Sequence, residues 1–198
     1  SLPSNLQQGL VGYWPFCGNA NDESGNGNDG TTFDISYGED RFGIPNSTAD
    51  FDNISNRRIV VANANIPAND FYSFSFWCKV NTSLSNFNNI LYIESNLEAP
   101  FNGSMYCQLY GSYEPYIIND VYGKLGFSGY TNSNNSNTLV NDGNWHHCAM
   151  ITNWAAGSVE IFIDGILNSS WTFAPQNSSE WIKIIFGNNE EGSADAVF

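Results

Sequence analysis

The stretch from Asn19 to Gly30 is dense in hard oxygen ligands: Asp22, Glu23, Asn26, Asn28 and Asp29 stand among glycines that free backbone carbonyls to turn inward. Calcium takes about 6–8 oxygens at ~2.3–2.6 Å from this mixture of carboxylates, amides and carbonyls. Calcium is therefore the ion the loop suits, with Asp22 the leading ligand and Asn26 the next. The same residue types also build Asx turns that serve only the backbone, and the D-x-D-x-D-G spacing of an EF-hand is absent.

His146 and His147 are the only histidines. Neighbours on a strand point to opposite faces, so the pair cannot jointly hold a metal. A catalytic histidine would need a nucleophile and an orienting acid, and the pair reads as structural. Among carboxylates, Glu160 and Asp164 lie four apart on one strand face, a separation of roughly 13 Å. Glycoside hydrolases hold theirs about 5–5.5 Å apart when retaining and about 6.5–9.5 Å apart when inverting. Glu94 and Glu98 straddle a strand end without such a pattern. No catalytic residue is assigned, and the chain reads as a non-enzyme.

Aromatic residues are abundant: 6 Trp, 10 Tyr and 14 Phe. A flat ring can lie against the apolar face of a sugar, with Asn or Asp around it. Tyr106, Tyr110, Tyr113, Tyr116, Tyr122 and Tyr130 gather in the central third amid Asn and Ser, and Trp154 falls in an expected loop, Thr152–Gly157. Trp154, Tyr113 and Tyr116 are the ligand-binding candidates. Most other rings are expected to pack in the core or at its edges.

The elements that must hold these residues are strands. No window carries helical periodicity between caps. Short aromatic or β-branched runs recur instead, separated by clusters of Asn, Gly, Ser and Asp: 9–16, 58–62, 71–80, 89–94, 104–110, 124–130, 138–140, 145–152, 158–164, 166–173 and 181–186. This density of strands and turns points to a β-sandwich or barrel. Phe74, Phe76, Cys78 and Val80 alternate with Ser73, Ser75, Trp77 and Lys79, and Val159, Ile161 and Ile163 alternate likewise. Asp164-Gly165 between two apolar runs predicts a type I′ hairpin. The segment 145–151 is apolar on both faces and is expected to be a central strand covered on each side. No linker or fixed-period repeat divides the chain, so residues 1–198 read as one domain.

Six lysines and arginines against 20 acidic residues leave a net charge of −14. That disfavours nucleic acid and anionic membranes, whose phosphates a binder must neutralise. No apolar run approaches the roughly 20 residues of a membrane span, so membrane insertion is not expected. Ser1-Leu2-Pro3-Ser4 lacks the basic start and apolar stretch of a signal peptide, and the chain reads as a piece of a longer protein. Asn, with 29 copies, fills the place of the missing charges. Cys17, Cys78, Cys107 and Cys148 contain no C-x-x-C, and Cys78 and Cys148 sit where Val or Ile would serve. Free buried thiols are favoured, with one or two disulfides as the alternative. Seven Asn-x-Ser/Thr sequons, Asn168 among them, are a weak signal in a chain so rich in Asn.

Four segments, in order, resemble the laminin-G-like, concanavalin A-like jelly-roll domains in their bacterial branch. They are Gly9-Leu-Val-Gly-Tyr-Trp-Pro-Phe16 with the loop to Gly30; Ser73-Phe-Ser-Phe-Trp77-Cys-Lys; Asp142-Gly-Asn-Trp145-His146-His147-Cys-Ala; and Val159-Glu-Ile-Phe-Ile-Asp164-Gly165. The resemblance covers nearly the whole chain and implies an all-β fold, a two-sheet antiparallel β-sandwich of concanavalin A type. It makes the histidine pair a fold hallmark and places a structural calcium where the Asn19–Gly30 loop meets the closing strand. Two departures stand out: Cys17 replaces the usual Asp or Asn, and Cys148 the usual Val. Nothing after Asn188 matches the closing strand "G-x-I-D-D-v-r-i-Y", so the fold is expected to lack it, leaving an edge that a partner segment could fill. A fold does not fix a function. The implied one is non-catalytic recognition and adhesion on a secreted or cell-surface protein, lectin-like, with a glycan or an extracellular protein as partner. The alternatives are a structural or protein-binding repeat in contact with neighbouring domains of a large adhesin, surface filament or phage-like fibre, and, last, a glycoside hydrolase.

Overall fold

Alternation turns into layers wherever one face of each strand finds the other sheet. The computed structural model describes residues 2–51, 57–66, 71–80, 88–95, 105–109, 124–129, 132–173 and 181–187. Its strands, in chain order, are β1 (Thr31–Phe33), β2 (Ser36–Gly38), β3 (Thr48–Asp50), β4 (Arg58–Ile66), β5 (Phe71–Lys79), β6 (Asn88–Ser95), β7 (Met105–Leu109), β8 (Lys124–Gly129), β9 (Asn132–Leu139), β10 (Trp145–Asn153), β11 (Ser158–Ile163), β12 (Ile166–Thr172) and β13 (Trp181–Gly187). The larger sheet runs β1-β4-β13-β6-β7-β8-β9, the smaller β12-β11-β10-β5, and β2-β3 form a separate ribbon. Neighbouring strands are antiparallel, as expected for a two-sheet sandwich.

Between the sheets, Val61, Ile93, Leu125 and Ile184 of the larger meet Cys78, Cys148, Met150, Val159 and Ile161 of the smaller, all buried. Each fully buried aliphatic side chain contributes about 1.5–3 kcal/mol. The expected alternation holds: Val159, Ile161 and Ile163 point inward. Asp164 (φ 52°) and Gly165 (φ 79°) both adopt left-handed main chain, the I′ geometry that joins β11 to β12 with Ile163 opposite Ile166. The segment 145–151 becomes β10, central between β5 and β11, but only its inner face is covered. Cys148 and Met150 are buried while Ile151, on the other face, is 40% exposed.

Residues 9–16 do not form the expected strand. Their backbone groups are taken by side chains from the following loop, described below. Gly12 lies against Trp14, where a Cβ would come within 2.1 Å of the indole. That indole donates to the Asn28 carbonyl at 2.8 Å and meets Phe186 of β13 edge-on, as does Phe16.

The free edges of the two sheets are clipped together. A register shift between Ile161 and Phe162 leaves Asn168 of β12 without a directly opposed partner. Its Oδ1 accepts the N–H of Asn137 (2.6 Å) and of Thr138 (3.2 Å) on β9, and its Nδ2 donates to Thr138 Oγ1 at 2.6 Å. Cys78, Cys107 and Cys148 are buried free thiols and Cys17 is an exposed one. Sγ of Cys78 and Cys148 lie 3.8 Å apart, and burial pushes the Cys107 thiol far above its ordinary range.

Candidate functional site

Asp22 is nearly buried and works as a hub for backbone amides. Its Oδ1 accepts the N–H of Tyr13 and of Ser24, each at 2.9 Å, and its Oδ2 accepts that of Asn28 at 3.0 Å. Burial pushes its carboxyl pKa up, but the Ser24 hydroxyl and those three N–H groups outweigh it and hold the carboxyl below its usual range. Asn26 Nδ2 donates to the carbonyls of Leu10 and Val11, Asn28 Nδ2 to that of Val11, and Asp29 Oδ1 accepts the Asp22 N–H. The loop therefore stands in for a neighbouring strand along residues 10–13. Both Asp22 oxygens already face N–H donors, and no group of three or more acidic, His or Cys side chains converges among the described residues.

His146 and His147 point to opposite faces, as strand geometry requires. His146 Nδ1 lies 2.8 Å from Asp164 Oδ2, and Nε2 lies 3.1 Å from Asp142 Oδ1. Burial lowers its pKa, and the two carboxylates more than reverse this, raising it. Bonds from the side chain and N–H of Asn144, then from His146, draw Asp142 down to about 2. With a carboxylate at each nitrogen, His146 is a clamp between the β10 entry loop and the β11–β12 turn, with neither nitrogen open to a substrate. His147 Nε2 lies 2.8 Å from Ser75 Oγ. That distance would suit a nucleophile and base, but among the described residues no acid reaches the Nδ1 of His147 to orient it. Glu94 is held by Lys183 at 2.9 Å.

Trp154 is 6% exposed and packs edge-on against Phe173 in the core. Its Nε1 is buried without a hydrogen-bond partner among the described residues. No ring face is free there for a ligand. Tyr113, Tyr116 and Glu98 lie outside the described residues.

Among the described residues, an exposed aromatic surface lies on the outer face of the smaller sheet. On β5, Phe71, Ser73, Ser75, Trp77 and Lys79 form the outer face of the smaller sheet. Across the ladder Lys79 faces Trp145, Trp77 faces His147 and Ser75 faces Ala149. The Trp77 and His147 rings stand 5.2 Å apart, and Ser75 fixes the imidazole beside the indole. The loop between β2 and β3 completes this surface. Asp40 Oδ1 accepts the N–H of Phe42 (2.8 Å) and of Ile44 (2.9 Å), and Gly43 turns the chain at φ 76°. This turn sets the guanidinium carbon of Arg41 4.3 Å from the ring centres of both Phe42 and Trp77. Phe42 is 70% and Trp77 44% exposed. The alternation along β5 set Trp77 on the face opposite Phe74, Phe76 and Cys78, but nothing in the sequence linked it to Arg41 and Phe42, which come from a distant loop with no periodic signal.

The family model for the concanavalin A-like lectin/glucanases superfamily, in its laminin-G form, matches residues 52–198. No curated protein sequence matches the chain. Among solved structures, the chain is similar to the botulinum neurotoxin serotype D ligand-binding domain in complex with N-acetylneuraminic acid, at TM-score 0.59 and 16% identity over 86% of this chain and 41% of that one. It is similar also to domain 4 of AbnA, a GH43 extracellular arabinanase from Geobacillus stearothermophilus, in complex with arabinotriose: TM-score 0.55, 16% identity, 96% of this chain and 94% of that one. A third is the LG4-5 pair of the mouse laminin alpha1 chain, at TM-score 0.50 and 14% identity over 71% and 36%. At such identities the likeness is one of fold. The chain spans about two fifths of the length of the toxin domains it matches.

Proposed function

The chain belongs to the concanavalin A-like lectin/glucanases superfamily, in its laminin-G form, and we propose that residues 1–198 act as one non-catalytic carbohydrate-binding module of a secreted or cell-surface protein. The observation that carries this reading is the exposed Trp77 ring, flanked by Arg41, Phe42 and His147 on the outer face of the smaller sheet. A half-exposed indole with polar groups at its rim offers apolar stacking together with hydrogen bonds, which is what a pyranose needs. Two fold relatives carry sugars, N-acetylneuraminic acid and arabinotriose, and this supports the class of ligand.

In this reading adhesion occurs at the Trp77 surface, and calcium has no part in it, since Asp22 is spent on the backbone of its own loop. The test is a broad glycan array probed with wild type and Trp77→Ala, in calcium and in EDTA, with melting curves to show both proteins folded. Binding by wild type, equal in calcium and EDTA and lost in Trp77→Ala, is expected. Signal that vanishes in EDTA would restore calcium to the mechanism. An empty array from folded protein would overturn the carbohydrate reading. A second reading, contact with another protein domain, is favoured by exposed Phe71, Ile151 and Leu167 on the same sheet face.

A further inference from the structure

Only 6 basic residues stand against 20 acidic ones, yet two of the six, Arg41 and Lys79, lie at the Trp77 surface. Lys79 follows Trp77 by two residues on the same exposed face of β5. Arg41 is held in place: its guanidinium lies 4.3 Å from the ring centres of Phe42 and of Trp77, and the turn that carries it is fixed by Asp40. No acidic side chain pairs with it among the described residues. A guanidinium held over rings by its carbon still carries five N–H donors, and paired donors of this kind form the fork that binds a carboxylate through two parallel bonds. Both the rings and the turn reduce the ordering cost of that bond.

Resting on the carbohydrate reading above, we infer that this surface selects carboxylate-bearing sugars, with Arg41 binding the carboxylate and Trp77 or Phe42 stacking on the ring that carries it. A carboxylate fits better than the dense charge of a sulfated or phosphorylated polymer. Arg41 and Lys79 supply only two positive charges, and a chain of net charge −14 repels polyanions beyond that contact, within a Debye length of about 8 Å at physiological salt. None of the hydrogen bonds given above for the Asn19–Gly30 loop or the His146 clamp runs to Arg41 or Lys79.

The experiment prints uronate- and sialate-bearing glycans beside their carboxyl-reduced counterparts, with sulfated glycans as a third arm, and probes them with wild type, Arg41→Gln, Arg41→Lys and Trp77→Ala. Wild type is expected to prefer an acidic glycan over its reduced form by about tenfold or more, with the preference weakening as salt rises. Arg41→Gln is expected to lose that preference. Arg41→Lys is expected to recover little of it, since the point charge lacks the planar fork. Equal binding to acidic and reduced forms, or binding confined to neutral or to sulfated glycans, overturns the carboxylate assignment and leaves the carbohydrate reading standing. An array empty for folded wild type overturns both.

Discussion

His146 and Asp164 meet at 2.8 Å, Nδ1 against Oδ2, at the turn where the chain passes through left-handed main chain at two successive residues. The other Asp164 oxygen accepts the N–H of His147 at 2.9 Å, so a single carboxylate ties the β11–β12 turn to both histidines of β10. His146 is raised above its ordinary 6.5, so its stabilisation is complete below that value and lost as pH rises through the folded pKa. Asp142 and Asp164 are depressed below 3.8, so theirs is complete above that value and lost as pH falls through the folded ones, for Asp142 about 2. The clamp is therefore strongest between about pH 4 and 6.5. The melting-temperature difference between wild type and His146→Gln should peak there and shrink towards alkaline pH. A difference that does not change with pH would remove the ionic account.

Asp22→Asn should destabilise the protein by about 1–3 kcal/mol, because an amide offers one acceptor oxygen where the carboxylate serves three N–H groups. Urea denaturation at neutral pH measures this. The loss should narrow at low pH, as the wild-type carboxyl protonates and its depressed pKa ceases to contribute.

Asn168→Ala should free the β9 edge from β12. The expected sign is faster hydrogen exchange at the Asn137 and Thr138 amides, with a stability loss of about 1 kcal/mol. Unchanged protection at both amides would show that the clip does not hold the edges.

Gly12→Ala drives a methyl into the Trp14 indole and should cost about 1–3 kcal/mol by overpacking. If Trp14 swings aside instead, its bond to the Asn28 carbonyl breaks, and indole fluorescence reports the change.

Strand order along the chain was legible wherever alternation was long and the turn chemistry strong, as in β5, β11 and the Asp164-Gly165 hairpin. Residues 9–16 misled because their composition is that of a strand, while their hydrogen-bond partners are the side chains of Asp22, Asn26 and Asn28. The opposite happened at β9. Its Asn- and Ser-rich start reads as a spacer but pairs with β8, where Ser136 Oγ accepts the Leu125 N–H, so pairing overrides propensity. At the candidate site, spacing cannot say which way a ring near a turn faces. Trp154 turned inward, and among the described residues the exposed indole is Trp77, with Arg41 and Phe42 reaching it from another loop.

The thiols give the molecule a built-in clock. Cys17 is open to solvent, whereas Cys78, Cys107 and Cys148 are at most 4% exposed. A thiol-specific reagent should label the first at once and the other three only when the two sheets part. Buried thiols sit on both sheets, Cys107 on one and Cys78 and Cys148 on the other, so the slow phase times the opening of the sandwich itself. Any ligand that grips the folded state should lengthen that phase by a factor equal to the ratio of the ligand concentration to its dissociation constant, plus one.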